Sequence, residues 1–86
     1  MYSLIVAGQP TVPFVLMVTE GIEAKQVEQT TCFYPGLVGT MKEIFSKYDI
    51  NSVTVYGTRT YMTHIYDVIE KNFPNREIKL ACAGEE

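Results

Sequence analysis

Tyr34-Pro35-Gly36-Leu37-Val38-Gly39-Thr40-Met41-Lys42-Glu43-Ile44-Phe45-Ser46-Lys47-Tyr48 decides between an all-β and a mixed fold. From Leu37 onward the apolar residues are Leu37, Val38, Met41, Ile44, Phe45 and Tyr48. Steps of three and four between them trace one helical stripe, and Lys42, Glu43, Ser46 and Lys47 fill the opposite face. Pro35-Gly36 marks the change of period. Gly36 and Gly39 at the helix entrance read as a tight turn or close packing; a ligand approaching the backbone is the alternative.

Upstream of this helix the period is two, or the runs are short and β-branched. Ser3–Ala7 is an apolar run ended by Gly8, Phe14–Thr19 is a second, and Gln26–Phe33 alternates. In that third run Val27, Thr31 and Phe33 fall on one face and Glu28, Thr30 and Cys32 on the other. Gln9-Pro10-Thr11-Val12-Pro13 reads as a turn or loop. These segments predict three consecutive antiparallel strands. Downstream, Asp49-Ile50-Asn51-Ser52 reads as a connector and Val53-Thr54-Val55-Tyr56 as a strand stopped by Gly57. A second helix is expected from about Thr60 to Asn72, with Thr58 or Thr60 as its cap. Its apolar residues Tyr61, Met62, Ile65, Tyr66, Val68, Ile69 and Phe73 form a broad stripe. Pro74-Asn75 ends it, Glu77–Cys82 is a last strand, and Ala83-Gly84-Glu85-Glu86 is expected to fray.

The order is β-β-β-α-β-α-β, a mixed α/β (α+β) arrangement with a five-stranded mixed sheet and two helices. Its second half is a right-handed crossover between parallel strands. The 86 residues fit one domain, and 47% hydrophobic content suits a packed core.

That order resembles the ribonuclease H-like fold reduced to its minimum. The resemblance runs over Leu4–Ala7, Phe14–Thr19, Gln26–Phe33, Leu37–Tyr48, Val53–Tyr56, Tyr61–Asn72 and Glu77–Cys82. Nucleases of that family hold two metal ions with clustered carboxylates, one on the first strand and another near the end of the fourth. Here Ser3–Gly8 has no Asp or Glu, and the fourth strand ends Tyr56-Gly57-Thr58. Glu43 falls on the polar face of its helix. The resemblance therefore implies a non-catalytic member, with no cofactor and no metal.

Other chemistry is equally sparse. The one histidine, His64, sits at helical spacing from Asp67, Val68 and Lys71. A Cys–His dyad with Cys32 or Cys82 has no local motif behind it, and a zinc site needs more ligands. The two cysteines, about fifty residues apart, read as reduced, buried and strand-borne, with one inter-strand disulfide as the alternative. The most suggestive local feature is Gly57-Thr58-Arg59-Thr60. It marks a strand end running into a helix start, where free N–H groups and Arg59 attract an anion; ordinary capping is the competing reading.

The net charge is -3, with no run of basic residues, so the sequence does not advertise a nucleic-acid face. Met1–Gly8 lacks the basic start of a signal peptide and no stretch reaches the length of a membrane span, so a cytosolic protein is expected (host cytosol if viral). The expected function is a small non-catalytic binding or interaction module. Size and absence of chemistry suggest an accessory protein of a phage or mobile element. It would act on a protein partner or on itself as a homodimer or larger assembly. The interface is expected on the second helix, at Tyr61, Met62 and Tyr66. The alternative is a nucleotide or nucleic-acid binder using the Gly57–Tyr61 helix start.

Overall fold

A computed structural model describes residues 1–8 and 13–84, with side chains described through residue 81. Five strands and two helices follow one another as β1 (Tyr2–Ala7), β2 (Phe14–Glu20), β3 (Lys25–Cys32), α1 (Leu37–Lys47), β4 (Ile50–Thr58), α2 (Arg59–Asn72) and β5 (Ile78–Gly84), with a single 3-10 turn at Tyr34–Gly36 before α1. The sheet order is β3-β2-β1-β4-β5. β1 pairs antiparallel with β2 and parallel with β4, β2 pairs antiparallel with β3, and β4 pairs parallel with β5. This is the predicted mixed sheet with two helices.

Chain handedness explains where the helices lie. The crossover through α1 carries the chain from β3 to β4, and the crossover through α2 carries it from β4 to β5. Both step in the same direction along the sheet. Right-handed crossovers that step the same way place their helices on the same face. The core confirms it: Leu4, Val6, Phe14, Leu16, Val18, Val53 and Val55 from the strands join Leu37, Met41, Ile44, Met62, Ile65 and Ile69 from the helices in one cluster. Strand residues alternate between faces, so Ile5, Ala7, Val15 and Met17 belong to the other side, where they stay half-buried.

Several boundaries differ from the sequence reading. β4 begins at Ile50, so most of the expected connector is strand. Its register against β1 slips between Tyr2/Ser3, which leaves Asn51 as the extra residue of a bulge. A second bulge at Val27 separates the Val18–Glu28 pair from the Thr19–Gln26 pair and breaks the expected alternation of β3. Phe33 lies beyond β3 and is exposed. At the far end, Ala83 and Gly84 continue β5 instead of fraying. The residues Gln9–Val12 of the expected turn, and the final Glu85-Glu86, lie outside the described residues. A Cβ at Gly36 or Gly39 would meet nothing within 4 Å, so Gly36 serves the turn and close packing does not account for Gly39.

Cys32 is half-buried and unbridged. β3 and β5 are opposite edges of the sheet. Four strand spacings hold their backbones about 19 Å apart, far beyond the roughly 7 Å a disulfide spans. An intrachain bond from Cys32 to Cys82 is therefore excluded. No helix among the described residues is long and apolar enough to cross a membrane.

Candidate functional site

Neighbouring parallel strands whose connections leave in opposite directions open a crevice at their C-terminal ends. β1 and β4 are such a pair: β1 continues to β2 on one side and β4 continues through α2 to β5 on the other. Two glycines line the crevice. A Cβ on Gly57 would stand 3.1 Å from the Gly8 carbonyl oxygen, and one on Gly8 would stand 3.1 Å from the Phe14 ring. Side chains here would push the strand ends apart. Val6, Phe14, Val55, Tyr61, Met62 and Ile65 supply most of the wall around about 180 Å³ that includes open solvent. The space is apolar and too narrow to admit even a water molecule, so it is packed wall rather than a ligand cavity.

Thr58 is the N-cap of α2, extended at φ -70 and ψ 157, yet its hydroxyl makes no capping bond. Thr63 Oγ1 instead donates to the Arg59 carbonyl at 3.0 Å. Arg59 and Thr60 are exposed, Thr58 is half-buried and Gly57 is buried. The four residues singled out in the sequence thus do meet at one helix start beside the crevice.

An aromatic cluster flanks it that spacing alone did not reveal. Phe14 packs on Tyr61 (5.7 Å between ring centres) and Tyr34 (6.4 Å). Tyr34 stacks on His64 at 5.9 Å and 28°, and its hydroxyl lies 3.5 Å from His64 Nε2. Burial, then the nearby Tyr34, raises the Tyr61 hydroxyl above the ordinary tyrosine range. The signal was present only as aromatic residues adjoining strand ends.

The expected interface on α2 is divided. Met62 is 7% exposed and belongs to the core. At 100° per residue Tyr61 and Tyr66 stand about 140° apart around the helix, with Met62 facing the sheet between them. Tyr61 turns toward Phe14, and Tyr66 occupies the other flank, so the three do not form one surface.

The helix-free face of the sheet is the larger feature. One row across it reads Thr31, Val15, Ala7, Tyr56 and Ala81, and the next reads Gln29, Met17, Ile5, Thr54 and Lys79. A Ser52–Ser3 hydroxyl contact of 3.1 Å continues it toward the other end. The centre is apolar, and the margin is polar with Lys79 at one edge. Tyr56 is 48% exposed there.

Neither β1 nor β4 carries an acid, and Glu43 is exposed on α1. Among the described residues no three His, Cys, Asp or Glu side chains gather in a metal-holding group.

No protein-family model matches the chain, and no curated protein is significantly similar to it. Among solved structures it is similar to Archaeoglobus fulgidus Pelota, with a TM-score of 0.66 at 9% identity. The match covers 98% of this chain and 27% of Pelota, so the chain spans only about a quarter of that protein. At this identity the likeness is one of fold.

Proposed function

We propose that the chain is a non-catalytic protein-binding module, built on a pared-down ribonuclease H-like sheet, that holds its partner on the helix-free face. The observation carrying this reading is that β1 and β2 are apolar on both faces although the helices cover only one. Leu4-Ile5-Val6-Ala7 and Phe14-Val15-Leu16-Met17-Val18 are near-continuous apolar runs, the pattern of strands buried on both sides. An apolar centre with a polar margin is also the anatomy of a protein interface. The strand order, with β2 antiparallel to the other four, supports the ribonuclease H-like assignment. Absence of acids from β1 and β4 supports a binding role over phosphodiester cleavage.

A photo-crosslinking residue at Met17 should give a discrete adduct in its native cells, and the same probe at Glu43 should not. Met17→Glu should abolish binding of the captured protein while leaving the fold intact. Equal labelling from both positions overturns the assignment. The purified chain should cut neither RNA nor DNA with magnesium or manganese. Cleavage that survives purification and is lost in Glu43→Gln refutes the non-catalytic reading.

The exposed Arg59 beside the uncapped N-terminus of α2, rather than the crevice, favours a second reading, a nucleotide or nucleic-acid binder. Salt-dependent heparin retention that Arg59→Ala removes would replace the first reading with this one.

A further inference from the structure

The two edges of the sheet are built differently. β3 reads Lys-Gln-Val-Glu-Gln-Thr-Thr-Cys and carries the bulge at Val27; charge and bulging are devices that keep an edge from pairing. β5 reads Ile-Lys-Leu-Ala-Cys-Ala-Gly, with the single charge Lys79 against Lys25 and Glu28 on β3. Its register against β4 is unbroken from Ile78 to Cys82 and shifts only between Gly57/Thr58. Leu80 on this edge is 46% exposed.

The ladder fixes which main-chain groups of β5 remain free. Val53 is the register partner of Ile78, and its N–H donates to the Glu77 carbonyl at 3.3 Å. In a parallel ladder a residue bonds the two neighbours of its partner. Glu77, Lys79 and Ala81 therefore turn their main-chain groups toward β4. Ile78, Leu80 and Cys82 turn theirs outward, where among the described residues no strand meets them.

We propose that β5 pairs antiparallel with β5 of a second copy about a twofold axis at Leu80, joining two sheets into one. This register suits the strand best: one centred on Ile78 would set Leu80 against Arg76, which lies before β5 and already donates its N–H to the Phe73 carbonyl. Centred on Leu80, Leu80 faces Leu80 and Ile78 faces Cys82, all with outward-pointing N–H and C=O groups that exchange bonds. Lys79 faces Ala81. Centred on Lys79, the two ammonium groups would oppose each other in the closest kind of cross-strand pair. Centred on Ala81, Lys79 would face Ala83, where the β4 register slips. A twofold interface must be self-complementary, and the Leu80 register is. Tyr66 borders the joint, because α2 lies over β4 and β5 and its opposite flank, Tyr61 and His64, faces Phe14 and Tyr34. This pairing does not rest on the helix-free face.

Light scattering and sedimentation should give a dimer in the micromolar range. Leu80→Lys should raise the dissociation constant at least about a hundredfold with an unchanged circular dichroism spectrum. Val27→Lys on β3 and Met17→Glu on the open face should leave the dimer intact. Amide exchange supplies a readout independent of variants. The Leu80 amide should become protected as concentration rises, while the Lys79 and Ala81 amides are protected throughout. A monomer at every concentration overturns the proposal, as does a dimer that tolerates Leu80→Lys and leaves the Leu80 amide unprotected.

Discussion

Leu16 and Met17 are neighbours on β2 with opposite surroundings. Leu16 is fully buried beneath the helices, whereas Met17 stands on the bare side, half-buried by its neighbours in the sheet. The same division separates Leu4 from Ile5 and Val6 from Ala7. The residue types barely differ between the faces; what differs is the direction of the two crossovers. Composition prepared both sides of the sheet for burial, and the chain path covers one.

The largest test of this contrast is truncation on each side. Leu16→Ala should cost about 3 kcal/mol, since it opens a cavity in packed surroundings. Met17→Ala should cost about 1 kcal/mol or less, because solvent already reaches it. Urea unfolding of both variants measures the difference, and equal costs would mean that the bare face is covered in the isolated chain. Glycine substitutions sharpen the contrast at intermediate size and opposite sign. Gly57→Ala presses a methyl group toward the Gly8 carbonyl and should destabilise by about 1 kcal/mol. Gly39→Ala fills open space in α1 and should stabilise by about 0.5–1 kcal/mol. Matching signs would contradict the packing at the crevice.

A smaller effect concerns how the covered face is fastened at its β3 side. Glu28 accepts hydrogen bonds from Tyr48 Oη (2.6 Å) and Lys47 Nζ (3.1 Å). The Tyr48 bond first, then Lys47, holds its carboxyl below the usual value of 4.5. A lowered folded pKa stabilises above the unfolded pKa, and that stability fades as pH falls through the folded value. The stability gap between wild type and Glu28→Gln should therefore be present near neutral pH and close in acid. A gap that widens on acidification would have the wrong sign. Smallest of all, Thr58→Ala should fall well short of the usual loss of about 1 kcal/mol for a helix cap, because the Thr58 hydroxyl makes no capping bond. A full loss in thermal unfolding would show that Thr58 caps α2 in solution.

Both helices and the mixed five-stranded sheet were legible because Met41–Ile44–Phe45 and Ile65–Ile69 keep strict helical spacing and the strands are β-branched. The start of β4 was not, since the bulge at Asn51 sets Asn51 and Ser52 side by side and erases alternation. Met62 was misplaced for a different reason. The apolar residues of α2 span a wide arc whose sheet-facing centre spacing alone does not mark, and Met62, only about 20° from the fully buried Ile69, lies near that centre. At the candidate site, Gly57 through Thr60 could be read as a unit because they are consecutive. The Tyr34–His64 stack could not, because its partners are thirty residues apart and only the completed sheet brings them together.

The central strand also sets an order of events during synthesis. β1 can pair with β2 as soon as the meander emerges, but its other edge waits for β4, whose Ile50 finally sits beside Tyr2. Closing that longer loop costs about 2 kcal/mol more entropy than closing a hairpin. Until then Tyr2–Ala7, among the most apolar strands of the molecule, is exposed along one side to any neighbouring nascent chain. That unpaired side of β1, open until Ile50–Thr58 has been made, is the stretch where an incomplete chain can pair with another.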